Sequence, residues 1–235
     1  MLTRLRDRHT DLSFGRNGRR FLEVGGESAH GWDIVEAANE DLIVSGYRVV
    51  AEREELVVAR LDGHGDFVGE FGNGDGFVAF PLGTDGAQGH TVLEAPDGRI
   101  IVGGRGVFDG HRQMVLVALT STGELDGSFG DEGVAAHAFR PLPAAISSIA
   151  LDGRGNIVAV GEISNGAYTE FAIARFLPDG RVDQTFGTDG LVALTVGEHN
   201  AKAYAVTLQE DGKIVAVGYG SDSPGDAEAV VVRLR

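Results

Sequence analysis

A Phe-Gly pair recurs along this chain at an almost constant interval. Successive pairs are 57, 58 and 57 residues apart, and they lie at Phe14-Gly15, Phe71-Gly72, Phe129-Gly130 and Phe186-Gly187. A second marker, an apolar run that ends in glycine, keeps the same step, with its last glycines at Gly46, Gly104, Gly161 and Gly218. A fixed period of this length indicates a propeller or a solenoid, in which one structural unit is repeated along the chain.

The repeat between residues 145 and 200 shows what one unit contains. Its apolar segments are ISSIAL, IVAVG, EFAIARF and LVALTV, and turn sequences such as DGRGN and LPDGR separate them. We find no helical period of useful length in any unit, so each unit is predicted to be four antiparallel strands. The run IVAVG is apolar throughout, as expected where both faces of a sheet are covered. Such sheets must stack on neighbours, and stacked twisted sheets close radially into a propeller.

The prediction for the whole chain, residues 1–235, is a single all-β domain, a β-propeller of four four-stranded blades. Three blades are intact, and one is closed by the N- and C-terminal segments. The predicted parts are a closing half-blade at 1–27, blades at 28–86, 87–142 and 143–198, and the first part of the split blade at 199–235.

The register of the two ends leaves an alternative open. Thr3 lies 11 residues before Phe14, which is the register of a third strand, and the chain then supplies a fourth strand. Residues 231–235 occupy the third-strand register as well. Joining the ends in one blade removes an exposed sheet edge, but two chains that exchange their split halves would form an eight-bladed ring instead.

Two repeated side chains have predicted structural roles. The Phe of each Phe-Gly pair is expected to anchor the connection between strands three and four against the adjacent sheet, and the Gly to allow the close turn behind it. A third-strand arginine recurs, and it is expected to pair with carboxylates of the Asp126 or Asp183 type. It stands at Arg60, Arg175 and Arg233, with Ala118 in its place in the second blade.

Several segments carry parts of one pattern, which consists of a Pro/Glu-Asp-Gly-basic turn, an apolar strand ending in glycine, and a closing Phe-Gly. They are APDGRIIVGG (95–104), QEDGKIVAVG (209–218), FAIARFLPDGRVDQTFGTDG (171–190), GELDGSFGDEG (123–133) and DLSFGRNG (11–18). In this pattern the chain resembles the delta-60 repeat family of bacterial β-propeller proteins, along essentially its whole length. The resemblance implies a propeller of four-stranded blades and implies little about activity.

Composition excludes several classes of function. The formal net charge is −15, which disfavours nucleic acid and anionic membrane surfaces as partners. Without cysteine the chain has no disulfide and no thiol chemistry. No apolar stretch approaches the ~18 residues of a membrane span. The first residues lack the apolar core of a secretory signal, so the expected location is the cytoplasm by default, with export by another route left open.

The sequence predicts no catalytic centre, no cofactor and no metal site. Asp62, His64 and Asp66 alternate in the turn DGHGD, but an EF-hand loop starting there needs glycine at its sixth position and glutamate at its twelfth. Those positions hold Phe67 and Asn73. No pair of histidines has the H-x-x-x-H spacing of a zinc site.

Two sets of residues are candidates for binding. The first is a ring of residues 14 positions before each marker glycine, near one mouth of the axis, which could hold a small polar ligand or anion, or simply fill the axis: Trp32, His90, Ser147 and Tyr204. The second lies in the connections between second and third strands, which vary most between repeats: Arg105, Phe108, His111, Tyr168, Tyr219 and Asp222.

The function expected from these features is that of a non-catalytic binding or assembly module. Its rigid propeller would present loops to a protein or glycan partner, as a monomer or a homodimer. The alternative is a small-ligand binder or an enzyme that uses the axial ring.

Overall fold

The computed structural model describes residues 1–6, 9–139, 142–223 and 225–235, with the side chains of residues 5 and 6 left out. Every regular element in these ranges is a β-strand. No helix that could cross a membrane is found there.

The strands follow one another in the repeating order that the sequence predicts. The N-terminal segment contains β1 (Leu2–Thr3), β2 (Leu5–Arg6), β3 (His9–Thr10) and β4 (Arg19–Arg20). The first sheet contains β5 (Ser28–Glu36), β6 (Leu42–Val50), β7 (Arg53–Leu61) and β8 (Phe77–Phe80). The second contains β9 (Ala87–Glu94), β10 (Ile100–Phe108), β11 (His111–Leu119) and β12 (Val134–His137). The third contains β13 (Ala144–Leu151), β14 (Ile157–Ser164), β15 (Thr169–Phe176) and β16 (Leu191–Leu194). The fourth contains β17 (Lys202–Leu208), β18 (Ile214–Gly220) and β19 (Glu228–Leu234).

Neighbouring sheets pack face to face, and the prediction of an all-β propeller is confirmed. The first strands of successive sheets, β5, β9, β13 and β17, contact one another along the inner side. Apolar clusters fill the spaces between sheets; between the third and fourth sheets, for example, Val160 and Ile173 pack with Ala203. The IVAVG run of β14 is buried along its whole length, as its composition predicts.

Three links join neighbouring blades at three successive interfaces, from the N-terminal segment to the third sheet. The first link is the Phe of the Phe-Gly pair, whose ring lies under the glycine of the next blade's turn between third and fourth strands. A Cβ at that glycine would come within 2.8–2.9 Å of the ring, at Gly65 over Phe14, Gly123 over Phe71 and Gly180 over Phe129. The predicted anchoring role of these phenylalanines is therefore confirmed at three positions.

The other two links are hydrogen bonds to the same turn. The glycine of the Phe-Gly pair donates its backbone N–H to a turn carbonyl, with Gly15 to His64 at 2.6 Å, Gly72 to Thr122 at 2.9 Å and Gly130 to Asp179 at 2.8 Å. A guanidinium donates to the preceding carbonyl, from Arg4 to Gly63, Arg60 to Ser121 and Arg99 to Pro178. Charged donors make the stronger hydrogen bonds, so each turn is fixed by apolar and polar contacts together.

The guanidinium also pairs with a carboxylate of its own blade, although not always the expected one. Arg175 Nε lies 2.8 Å from Asp183 Oδ2, as predicted. In the second blade, where Ala118 replaces the arginine, Arg99 approaches Asp126 at 3.6 Å from the turn between first and second strands. In the first blade Arg60 instead binds Asp41 at 2.7 Å.

The N-terminal segment occupies the place of the outer half of a preceding blade. Arg4 Nε lies 2.8 Å from Asp11 Oδ2, which repeats the Arg175–Asp183 pair. Arg4 is therefore the third-strand arginine of this segment. It lies one position after Thr3 because the turn between Arg4 and Asp11 is one residue shorter than the turn between Arg175 and Asp183. β1 pairs with β4 through Leu2–Arg20 and Thr3–Arg19.

The predicted joint between the two ends is not among the described strand pairs. β19 pairs with β18, and β4 pairs with β1, so the fourth sheet has three strands and the N-terminal pair is separate. Both ends carry a strand in the third-strand register, β1 beside β4 and β19 beside β18. The described strand pairs therefore include none between the segments 1–27 and 199–235.

Phe129 has a turn over its ring and, in the described chain, Phe186 does not, so replacing each with alanine should lower the stability by different amounts. We expect Phe129→Ala to lower the free energy of unfolding by about 3–5 kcal/mol, because the ring is fully buried and removing it leaves a cavity between two blades. Phe186→Ala is the matched control. Phe186 is 9% exposed and no turn of the described chain lies over it, so its loss should be smaller. Urea denaturation measures both, and equal losses would contradict the proposed role of the turn.

Candidate functional site

A β-bulge at the same place in every first strand shapes the inner surface. Pairing with the second strand skips one residue in each sheet, and the skipped residues are Trp32, His90, Ser147 and Tyr204. Bulges re-aim side chains and locally increase strand twist. The four residues predicted as an axial ring are therefore structurally equivalent, and each is the extra residue of a bulge.

The marker glycine is the residue that this bulge requires in the second strand. A Cβ at Gly46 would overlap the carbonyl oxygen of His30 across the strands, and the same overlap recurs at Gly104, Gly161 and Gly218. Only glycine has no Cβ to place there. The repeated apolar run thus ends in glycine for a packing reason, at the level of the ring.

The ring residues differ in environment and do not all touch. Trp32 is 58% exposed and its ring meets that of His90 edge-on at 5.3 Å between centroids. Tyr204 is 56% exposed and contacts Tyr219 at 5.8 Å. The Ser147 hydroxyl is buried and has no hydrogen-bond partner among the described residues. The structure thus brings together Trp32 and His90, and separately Tyr204 and Tyr219.

A chain of polar contacts runs from the loop end to His90. Gln88 Nε2 donates to Glu54 Oε1 at 2.6 Å, and Arg105 Nη2 donates to Glu54 Oε2 at 3.2 Å. Arg105 Nε also reaches Gln88 Oε1 at 3.3 Å. His90 Nε2 lies 3.0 Å from the same Gln88 oxygen, and its Nδ1 lies 2.7 Å from the Ile146 carbonyl oxygen of the next sheet. These contacts fix the orientation of the imidazole.

A second polar group lies where the third and fourth sheets meet. Lys202 Nζ approaches Glu162 Oε1 at 3.6 Å and lies 5.8 Å from the Tyr204 ring centroid. Burial raises the pKa of Tyr219, and the neighbouring Tyr204 and Glu162 add to that shift. Cations, carboxylates and aromatic faces are thus mixed along the inner surface, an arrangement suited to a polar ligand with both donors and acceptors.

Burial lowers the pKa of His90, and the nearby Arg105 and Lys202 cations lower it further. The Ile146 carbonyl and Glu162 oppose this shift. Protonation would place a charge in a partly desolvated position beside two cations, which disfavours the charged imidazole.

The predicted loop residues fall into two groups. Arg105 and Tyr219 lie on strands one position after the marker glycine and belong to the axial surface. Phe108 is partly buried and packs against the apolar cluster between the first and second sheets. Tyr168 is 39% exposed and meets His199 edge-on at 4.7 Å, while His111 is exposed at the start of β11 and Asp222 is exposed in the connection after β18. Only Tyr168, His111 and Asp222 therefore remain as a loop surface.

Sequence reasoning missed the polar partners of the ring. Gln88 and Lys202 lie 16 positions before their marker glycines, and Glu162 lies one position after its own. The first position lies on the bulged strand, two residues before the bulge, and the second lies on the neighbouring strand. Comparing the repeats at these two positions would have found all three residues. Glu54 has no such signal, because it reaches the ring from the third strand.

The opposite end of the blades carries repeated turns whose polar groups are used internally. Asp62 Oδ1 accepts the N–H groups of His64 at 2.8 Å and Asp66 at 2.9 Å, which is the local hydrogen bonding typical of an Asp-Gly turn. Asp152 does the same for Arg154 and Asn156. Within the described ranges no three His, Asp or Glu side chains are grouped so as to hold a metal ion.

Comparison with known proteins agrees with this architecture. A family model described as a domain of unknown function (DUF5122) beta-propeller matches residues 95–129 and 155–186. The chain is a β-propeller built from repeats. No curated protein matches it.

Similar solved structures have low sequence identity. A Bacteroides caccae protein of unknown function is 12% identical, with 88% of this chain and 61% of that chain covered, at a TM-score of 0.47. A Dyadobacter fermentans protein of unknown function is 11% identical, with 85% and 59% covered, at 0.46. The GH43 endo-arabinanase from Bacillus licheniformis is 10% identical, with 92% and 97% covered, at 0.29. The chain therefore spans about three fifths of the length of the first two structures.

The lowered pKa of the partly buried His90 predicts a pH-dependent stability. Because its pKa in the folded chain lies below the unfolded value of about 6.5, its contribution is complete above that value and is lost as the pH falls below it. We expect the free energy of unfolding to be lower at pH 5.5 than at pH 7.5, and His90→Gln to reduce this difference.

The matched control is His64→Gln, since the His64 side chain is 77% exposed in a turn. Urea denaturation at the two pH values provides the measurement. His137 is also half-buried with a lowered pKa, so part of the pH dependence should remain in His90→Gln. An unchanged pH dependence in that variant would contradict the account of His90.

Proposed function

We propose that this chain is a non-catalytic binding or assembly module that presents its loop end to a protein or glycan partner, and that it is a member of the delta-60 repeat family. The observation that carries the proposal is the difference between the two ends of the blades. At the turn end, side chains such as Asp62 and Asp152 are committed to their own turns. At the loop end, the repeats differ from one another and leave aromatic and hydrogen-bonding groups accessible.

The exposed groups at the loop end are of the kinds that contribute most to recognition. Tyr168 is partly exposed and held by His199, so little side-chain entropy is lost when it binds. Aromatic side chains with a polar atom are enriched among residues that dominate binding energy. His111 and Asp222 add hydrogen-bonding groups on neighbouring loops. The strands beneath these loops belong to packed sheets, so the loops are presented from a rigid base.

A small polar ligand held by the axial surface is the second candidate. It is favoured by the buried Ser147 hydroxyl, which lacks a hydrogen-bond partner among the described residues, since a buried polar group is normally satisfied. Calorimetric titration of neutral sugars and small anions into the parent and Ser147→Ala would test this candidate. Binding that is identical in both would argue against it.

The proposed loop surface predicts a loss of binding on truncation of Tyr168. Glycan-array screening and pull-down with the full chain would first recover partners, and Tyr168→Ala should weaken the recovered complex about tenfold, as for an interface residue worth ~1.4 kcal/mol. Leu12→Ala, at an exposed side chain near the turn end, is the control and should bind as the parent does. Phe108 is unsuitable for this test because its ring contributes to the core.

Equal affinity of the parent, Tyr168→Ala and His111→Ala for every recovered partner would contradict the loop-end proposal. Binding of a glycan without recovery of a protein would identify the partner as a glycan. Recovery of a protein without glycan binding would identify it as a protein.

A further inference from the structure

The outward face of the fourth sheet lacks the cover that its equivalents have. Val217 pairs with Val231 across β18 and β19, as Val160 pairs with Ile173 across β14 and β15. Val160 and Ile173 are 0% exposed because the fourth sheet covers them, whereas Val217 is 41% and Val231 is 69% exposed. This face therefore has the residues of a blade interface without the neighbouring blade.

The outward face of the first sheet is half covered. Leu2 and Leu22 of the N-terminal segment pack on Val44, Ala59 and Leu61, which lie in the outer part of the sheet. Nearer the axis a pocket of about 340 Å³ remains open between this segment and the sheet. It is lined by Leu2, Phe21, Trp32, Ile34, Gly46 and Tyr47, among others. In the interfaces between the other sheets, first and second strands of a preceding blade fill the corresponding space.

The two uncovered faces are complementary by the repeat itself. Each interface within the chain joins the outward face of one sheet to the inward face of the next, and the fourth and first sheets carry one free face of each kind. Leu2, which packs on the first sheet, is the equivalent of Val231, because both lie two positions before a third-strand arginine, Arg4 and Arg233. Val231 is therefore of suitable size and position for the place that Leu2 occupies.

Charge favours the same contact. The first 20 residues contain six arginines and two aspartates, although the chain as a whole has a net charge of −15. Residues 209–228, which include all of β18 and the segments on either side, contain five acidic residues and one lysine. The two segments that this contact would bring together therefore carry opposite net charge, which favours their association.

From these observations we infer that the partner of both faces is a second copy of this chain. The fourth sheet of one copy packs on the first sheet of the other, and its β19 replaces β1 beside the partner's β4. Val231 then lies opposite Arg20, as Leu2 does within one chain. Two such head-to-tail contacts are related by a two-fold rotation and close an eight-bladed ring. Closure is needed because a heterologous contact that does not close forms an open-ended polymer.

The described chain favours this partner over closure on itself. β5 and β17 would be neighbours in a closed four-bladed ring. Among the described residues no contact between them is comparable with those joining β5 to β9, β9 to β13 or β13 to β17. The inference is independent of what the loop end binds, and its tests measure assembly rather than ligand binding.

Sedimentation equilibrium of the full chain at micromolar concentration is the first test. The expected species is a dimer, and Val231→Asp should convert it largely to monomer by placing a charge in the apolar contact. Leu12→Asp, at a side chain 70% exposed near the turn end, is the matched control and should remain a dimer. A monomeric parent at all concentrations, or an open-ended series of oligomers, would overturn the inference.

A cysteine cross-link tests the geometry, and the absence of native cysteine makes the result unambiguous. Arg20→Cys and Val231→Cys chains, mixed and oxidised, should form a covalent pair that neither variant forms alone, because directly opposite residues on adjacent strands come within disulfide reach. Asp97→Cys, in a turn of the second sheet, mixed with Val231→Cys is the control and should not cross-link.

The double variant Arg20→Cys/Val231→Cys distinguishes the two closures. Covalent dimers are expected on oxidation, whereas an internal disulfide in a monomer would show that one chain closes on itself and would overturn the inference. Failure of both cross-links while the parent remains a dimer would place the interface elsewhere and would also overturn it.

Discussion

The contact between a phenylalanine of one blade and a turn glycine of the next is the interaction on which the rest of this structure depends. Each sheet is apolar on both faces and is stabilised mainly by burial against its neighbours. The Phe ring fills the gap between the outer parts of two sheets, and the turn glycine permits backbone to lie directly on the ring. The backbone hydrogen bond and the guanidinium beside the ring fix the angle between sheets, so the same geometry recurs at the three interfaces from the N-terminal segment to the third sheet.

This regularity places the repeated links between blades at the turn end of the blades. The turn end of each blade contains the Asp-Gly turns and the interblade links, and its sequence is therefore constrained from repeat to repeat. At the loop end neighbouring blades are joined by other contacts, such as the hydrogen bonds from the Ala201 N–H to the Thr169 carbonyl and from Gln88 Nε2 to Glu54 Oε1. The residues around these contacts differ more from repeat to repeat than those of the turn end. Bulges in the first strands lie between these two ends. They fix the common level of four side chains, which are Trp32, His90, Ser147 and Tyr204.

Much of the fold was predictable from the sequence because the period reports it directly. The 57- or 58-residue step, the run IVAVG and the turn LPDGR specify four strands, their order and their double-sided burial. The relation between the two ends was not predictable in the same way. Both ends match a third strand, and local pattern cannot decide whether such strands compete for one place or occupy two. Two ion pairs also depend on contacts between distant segments. Arg60 pairs with Asp41, and Arg99 pairs with Asp126 in the blade where Ala118 replaces the third-strand arginine.

The candidate site was predicted in part. Counting back from the marker glycine found the equivalent bulge residues, since equivalent positions in a repeat remain equivalent in space. It could not reveal that His90 bonds to Gln88 and to the Ile146 carbonyl of the next sheet, or that Phe108 turns inward to the core. The direction of a side chain at the end of a strand depends on the twist of that strand. The residue type alone does not predict this twist.

Native-state hydrogen exchange of the dilute, monomeric chain tests most directly whether neighbouring sheets stabilise one another. If burial between sheets is the source of stability, amides of β10 and β14, covered on both sides, should exchange most slowly, and those of β18 and β19 much faster. Equal protection of β18 and β14 in the monomer would contradict the account, because the fourth sheet would then be stable with one of its faces uncovered.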